Sequence, residues 1–189
     1  MSRSNAVSEV RPAVDLDALV ALFYADRSAL GELTRCTSGD CPAAYRKLLH
    51  HNNHMTVTVE QRHGCLVDVE VLEARQEEHY YLRRIVLRRQ SDGRAVQFGI
   101  VRLDLNVLQP QVRDEILSQR IPLGRVLIQH NVLRRVELVA LWQVGCGPDL
   151  ARIFQVPVGH LTYGRTAMIY CDGQPAVELL EIVAPEDTF

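Results

Sequence analysis

The chain has 189 residues, of which 47% are hydrophobic and 23% charged, with a formal charge of -2. That length lets one domain bury a core without disulfide staples, and the charge balance lacks the basic excess expected of a duplex-binding protein, so nucleic acid is not expected as a partner. The cysteines Cys36, Cys41, Cys65, Cys146 and Cys171 contain no C-x-x-C pair, which points to neither a zinc site nor a disulfide framework. No apolar leader opens the sequence and no apolar run approaches the roughly 18 residues of a membrane span, so the reading is a cytoplasmic protein with reduced thiols.

Residues 1–13 are polar and read as a disordered N-terminal tail, with one domain filling 14–189. Asp15 is placed to cap a helix whose Leu16, Leu19, Val20 and Phe23 follow the i, i+3, i+4, i+7 pattern, ending near Gly31. Residues 32–42 read as a loop and 43–50 as a short helical or irregular stretch. In MTVTVE, Met55, Val57 and Val59 alternate with Thr56, Thr58 and Glu60, which predicts a half-buried strand over 55–60. A turn at 61–64 leads to a partner strand over 65–72.

Two hairpins follow the same logic. In YYLRRIVLRRQSDGRAVQFGIVRLD, residues 80–104, two interleaved arms flank Ser91-Asp92-Gly93, where Gly supplies the positive φ of a tight turn. Residues 161–183 repeat the arrangement around Asp172-Gly173. Between them, Pro110 opens a predicted helix within 106–120, residues 122–125 break it, a short helix resumes, a strand covers 133–144 and a helical turn covers 148–154. About seven strands joined mostly by antiparallel turns, with helices gathered between them, predict an α+β fold: a single domain with helices packed on an antiparallel β-sheet.

Two positions carry candidate chemistry. On the last strand Val177, Leu179, Glu181 and Val183 share a face, so alternation sets the Glu181 carboxylate in an apolar stripe. Such a group takes a cation as partner, is neutralised, or lies at an edge. Arg83 and Arg84 are consecutive on a strand, so one faces each side of the sheet, and a half-buried arginine implies either a protein carboxylate or a bound anion. Nearly every basic residue is arginine, with Lys47 the single lysine. His50 and His54 stand four apart in HHNNH, but the stretch reads as a polar loop, no H-E-x-x-H spacing occurs, and neither does a phosphate loop, nucleophile elbow or dinucleotide fingerprint, so no metal and no cofactor is expected.

The series LTR at 33–35, MTVTV at 55–59, YYLRRIVL at 80–87, the SDG turn, PLGRVLI at 122–128 and DGQPAVELLEIVAP at 172–185 resembles, in order, the chorismate lyase-like family. The resemblance covers about residues 30–185. It implies a lyase eliminating pyruvate from chorismate to leave a hydroxybenzoate, without a cofactor. Arg83 would grip the ring carboxylate, Glu181 would contact the ring oxygen as a catalytic acid or base, and Leu33 and Leu123 would line the substrate pocket. Arg84 departs from the glutamate the enzyme carries after its arginine. Residues 151–183 equally resemble the end of a UTRA effector-binding domain, which implies instead a non-catalytic binder of an aromatic or sugar-like acid. Only about 30 residues precede the stretch that carries the resemblance, so a DNA-binding repressor is not expected.

Overall fold

The computed structural model describes residues 14–132 and 134–186, so the predicted tail at 1–13 lies outside the described residues. Seven strands form one sheet: β1 Gly31–Cys36, β2 Val67–Glu77, β3 Tyr80–Arg89, β4 Ala95–Asp104, β5 Arg134–Cys146, β6 Leu161–Cys171 and β7 Gln174–Val183. Their spatial order is β1-β5-β6-β7-β4-β3-β2, and every neighbouring pair is antiparallel. The two predicted hairpins are β3–β4 and β6–β7, and pairing of β4 with β7 joins them at the centre of the sheet. Gly93 at φ 71° and Gly173 at φ 81° make the turns, a left-handed conformation that glycine adopts without a Cβ penalty.

Strand alternation sends the two sides of the sheet to different helices. On one face Phe98, Ile100, Leu180 and Ile182 pack under α1, Leu16–Ala21, and α6, Pro148–Phe154. The opposite face is covered by α2, Ala43–Leu49, and α3, Met55–His63, over Ile85, Leu87 and Val183. It is covered further along by α4, Pro110–Leu117, and α5, Leu123–Gln129, over Val101, Leu179 and Ile169. The gap between those two helix pairs becomes the candidate site.

Three expectations are corrected. Residues 55–60 are not a strand but the first turns of α3, in which Met55, Thr56 and Val59 are buried. Burial at i, i+1 and i+4 is a helical face, and six alternating residues are too few to tell the two periods apart when packing overrides β-branched propensity. The stop signal was present: Arg62 and His63 in the last turn and Gly64 at φ 65° beyond it. Of the stretch 32–42 expected as a loop, residues 32–36 join Gly31 in the edge strand β1, so the count of seven strands holds with one member exchanged. The first helix ends at Ala21 rather than near Gly31, because Asp26 caps a separate 3-10 turn over Arg27–Ala29. The strand predicted to begin at Leu133 has its described residues from Arg134.

Candidate functional site

On the face covered by α2, α3, α4 and α5, four adjacent strands present their side chains to one cavity. Arg83 on β3 stands opposite Val101 on β4, Gly99 on β4 stands opposite Glu181 on β7, and Arg165 on β6 stands opposite the same Glu181. Leu123 and Gly124 at the start of α5 and His54, Met55 and Thr56 at the start of α3 close the cavity from above. The floor is apolar where it is not charged, with Val69, Ile85, Val101, Ile169 and Leu179. Gly99 keeps the centre open, since a Cβ there would stand 3.3 Å from Ile85 Cδ1. The helix ends meet as closely: a Cβ on Gly124 would come within 3.1 Å of Thr56 Oγ1. The cavity opens in part to solvent, and its free space is about 40 Å³.

Two guanidinium groups enter this space, and their situations differ. Arg165 is fully buried and its donors are committed. Nε donates to Glu181 Oε2 at 2.7 Å, Nη1 to the His51 carbonyl at 2.9 Å, and Nη2 to the Asn53 carbonyl at 3.1 Å. The 50–54 segment, polar in sequence, is thus a collar of carbonyls that holds a buried cation in place. His51 completes it: its Nε2 faces the Leu48 carbonyl at 2.6 Å and its Nδ1 accepts from the Asn53 amide at 3.1 Å.

Arg83 has no such company. It is 2% exposed, and its Nε and Nη1 have no hydrogen-bond partner among the described residues. Tyr81 is the neighbour that favours its charged form, its ring 6.0 Å from the guanidinium carbon, while burial pushes the guanidinium pKa downward. A third orphan faces the same cavity, the Gln97 Oε1 carbonyl, whose Nε2 donates to Glu181 Oε1 at 3.5 Å. Counting formal charges on the lining, Arg83 and Arg165 outnumber Glu181 by one. His54 adds none at neutral pH, because burial and the nearby Arg134 and Arg165 push it down to about 4. A buried cation left unpaired is costly by several kcal/mol. A ligand carrying one negative charge and accepting from Arg83 removes that cost.

The residues named from the sequence divide accordingly. Arg83, Glu181 and Leu123 come together in the cavity. Leu33 does not: it lies on β1 at the far edge of the sheet, packed in the core under α1 and α6, and its carbonyl accepts from Arg27 Nη2 at 3.0 Å. That expectation is corrected by position, since the strand carrying Leu33 was read as a loop free to reach the pocket. Glu181 is half of a buried ion pair rather than a lone carboxyl. The sequence reading missed Arg165 and Gln97, although alternation could have found both: Arg165 shares a face with Tyr163, Ala167 and Ile169, and Gln97 with Gly99 and Val101. Among the described residues no group of three histidine, cysteine or acidic side chains is placed to hold a metal.

No family model matches the chain, and no curated protein does. Solved structures do match in shape. The ligand-binding domain of a protein described as a GntR-family transcriptional regulator from Bordetella bronchiseptica superposes with a TM-score of 0.50 at 14% identity, over 64% of this chain and 86% of that one. The chain has the chorismate lyase-like fold. The C-terminal domain of the histidine utilization repressor from Pseudomonas syringae gives a TM-score of 0.48 at 11% identity, over 65% of this chain and 94% of that one. In this chorismate lyase-like sheet the cavity with Arg83 lies beside the junction of the two hairpins, on strands whose register fixes the side chains of its floor. No helix among the described residues is long and apolar enough to cross a membrane.

Proposed function

We propose that this chain is a non-catalytic binding domain for a small organic acid, held through its carboxylate by Arg83. The observation that carries the reading is the fully buried guanidinium with Nε and Nη1 unbonded, in a cavity that it shares with the Arg165–Glu181 pair and an apolar floor. An arginine fork matches a carboxylate in two parallel hydrogen bonds, and removing one partner of such a contact in a dry site costs about 2–5 kcal/mol. The apolar floor suits a ring or short hydrocarbon body. The Gln97 carbonyl adds a demand at the other end, for a hydroxyl or amino group that donates.

The charge arithmetic bears on the alternative activity, elimination of pyruvate from chorismate. Chorismate carries two carboxylates, whereas one guanidinium in the cavity has donors to spare, because those of Arg165 are taken by Glu181 and the backbone. A second carboxylate would be set near Glu181. The lyase reading also needs Glu181 as a proton donor or acceptor, and both of its oxygens already accept, from Arg165 and from Gln97. Likeness to the regulator domain supports binding in the same sense, as a fold built to hold a small molecule.

The test is calorimetric titration with benzoate and 4-hydroxybenzoate, beside incubation with chorismate followed for pyruvate. Saturable binding of a monocarboxylate that is lost in Arg83→Met, without pyruvate release, is the expected outcome. Pyruvate formation that disappears in Glu181→Gln would replace this reading with the lyase. Binding unaffected by Arg83→Met would remove the carboxylate fork from the account.

A further inference from the structure

Away from the cavity, two thiols are in contact. Cys36, the last residue of β1, and Cys41, just before α2, bring their sulfurs to 3.8 Å. The four residues between them form a closed turn that needs neither cysteine to hold it. The Thr37 amide and hydroxyl donate to Asp40 Oδ2 at 2.8 and 2.7 Å, and the Asp40 amide donates to the Thr37 carbonyl at 3.1 Å. Contact between the sulfurs is therefore a product of the turn. Bonding them requires an approach to about 2.05 Å, a movement of under ~2 Å that side-chain rotation and a small loop adjustment can supply. Cys36 is half-buried and reachable from solvent, whereas Cys41 is buried against Tyr45, Leu48 and Leu49 of α2. Buried Cys146 and Cys171 have no paired thiol of this kind, and Cys65 faces Ser91 at 3.6 Å.

We propose that Cys36 and Cys41 form a dithiol–disulfide site that exchanges with low-molecular-weight disulfides and staples the start of α2 to the edge strand β1. In the first step the Cys36 sulfur attacks a disulfide such as oxidised glutathione and expels one glutathione thiolate. In the second, the Cys41 sulfur attacks the Cys36 sulfur of that mixed disulfide and expels the other molecule. Two protein thiols are oxidised, one glutathione disulfide is reduced to two thiols, and the two protons leave with them. Burial raises the pKa of Cys36 and takes Cys41 up to about 12, so both rest as thiols near neutrality and exchange is slow, accelerating as pH rises toward the thiol range.

The staple has a direction of action. Helix α2 runs from the Cys41 end to Leu49, whose carbonyl faces Arg165 Nη1 at 3.4 Å, two residues before the His51 carbonyl that accepts from the same nitrogen. Anchoring the first turn of α2 restrains the collar that fixes Arg165. The chemistry of the thiol pair does not depend on what the cavity binds, so its test is independent of the ligand.

The full-length protein is incubated with oxidised glutathione at pH 8, then digested without reduction and mapped by mass spectrometry, with thermal melting of both forms. The expected result is one linked peptide pair joining Cys36 to Cys41, a product lighter by two hydrogens at those residues, and a higher melting temperature for the oxidised form. Cys36→Ser should block the link. Cys41→Ser should trap a glutathione on Cys36. Recovery of both cysteines as free thiols, separate glutathione adducts on each in the unaltered chain, or a link formed only after unfolding would overturn the proposal.

Discussion

On one face of the sheet the Arg84 guanidinium meets Asp149 at 2.9 Å and lies over the Tyr24 ring. On the other face Arg83, one residue earlier, is buried with two nitrogens unbonded. Arg84 also keeps its Nε without a partner, yet its side chain is 20% exposed and its charge is answered by Asp149 and Glu73. Tyr24 completes that arrangement by donating to Asp149 at 2.6 Å, and burial together with that carboxylate raises the pKa of its hydroxyl. The first arrangement joins the segment after α1 to β3 and α6; the second leaves Nε and Nη1 without a partner among the described residues. Neighbouring arginines thus differ in purpose because the pleat assigns one to a closed layer and the other to a cavity.

Four measurements would break or sharpen that contrast. The largest effect should come from Arg165→Ala, which leaves Glu181 buried without its cation and should cost about 3–5 kcal/mol, seen as a fall of roughly 10 °C in melting temperature at this chain length. A variant that melts within a degree or two of the unaltered protein would mean that the collar is not structural. Next is Arg83→Met. It should leave the unliganded protein as stable as before, or more so, because an unpaired buried charge is replaced by an apolar chain of similar reach, while benzoate affinity falls by about 2–5 kcal/mol. Stability lost together with binding would contradict the contrast directly.

Arg84→Met should do the reverse at smaller scale, costing about 1 kcal/mol of stability in chemical denaturation and leaving ligand affinity unchanged. The smallest effect concerns pH. His54 is pushed down to about 4 from an ordinary 6.5, and His51 is lowered by burial and by Arg165. The unfolded chain therefore binds more protons below pH 6.5 than the folded one does. Stability should be level above that pH and fall by about 1–2 kcal/mol as pH drops toward 5, allowing for the solvent that reaches His54. His54→Gln should flatten the acid limb of a melting-temperature profile; a slope that persists unchanged in that variant would assign it to other groups.

Much of this was readable from the residues. Both Asp-Gly hairpins, the alternation that buries Glu181, and the split of Arg83 from Arg84 across the sheet follow from a period of two. What the period could not supply was the partner of each buried charge. Glu181 in an apolar stripe was compatible with a lone acid or an ion pair, and Arg165 decided it from a strand sixteen residues away in sequence. Likewise Leu33 could be matched to a motif, but only the pairing of β1 with β5 shows that it sits at the far edge of the sheet. The helix at Met55–His63 was hidden because its threonines and valines imitate a strand, and its burial against α2 and α5 is a tertiary fact.

The cavity's 40 Å³ of free space is well below the roughly 150 Å³ that admits a benzene ring. Seating a ring would require the lining to move, and the starts of α3 and α5, which approach each other at Thr56 and Gly124, are the elements whose parting would make that room. If that parting precedes binding, the observed rate would level off with concentration at the frequency of helix parting, and apparent affinity would be diluted by the rarity of the open form. A guest seated that way would be released no faster than the same parting allows, so occupancy would outlast brief changes in the ligand's supply.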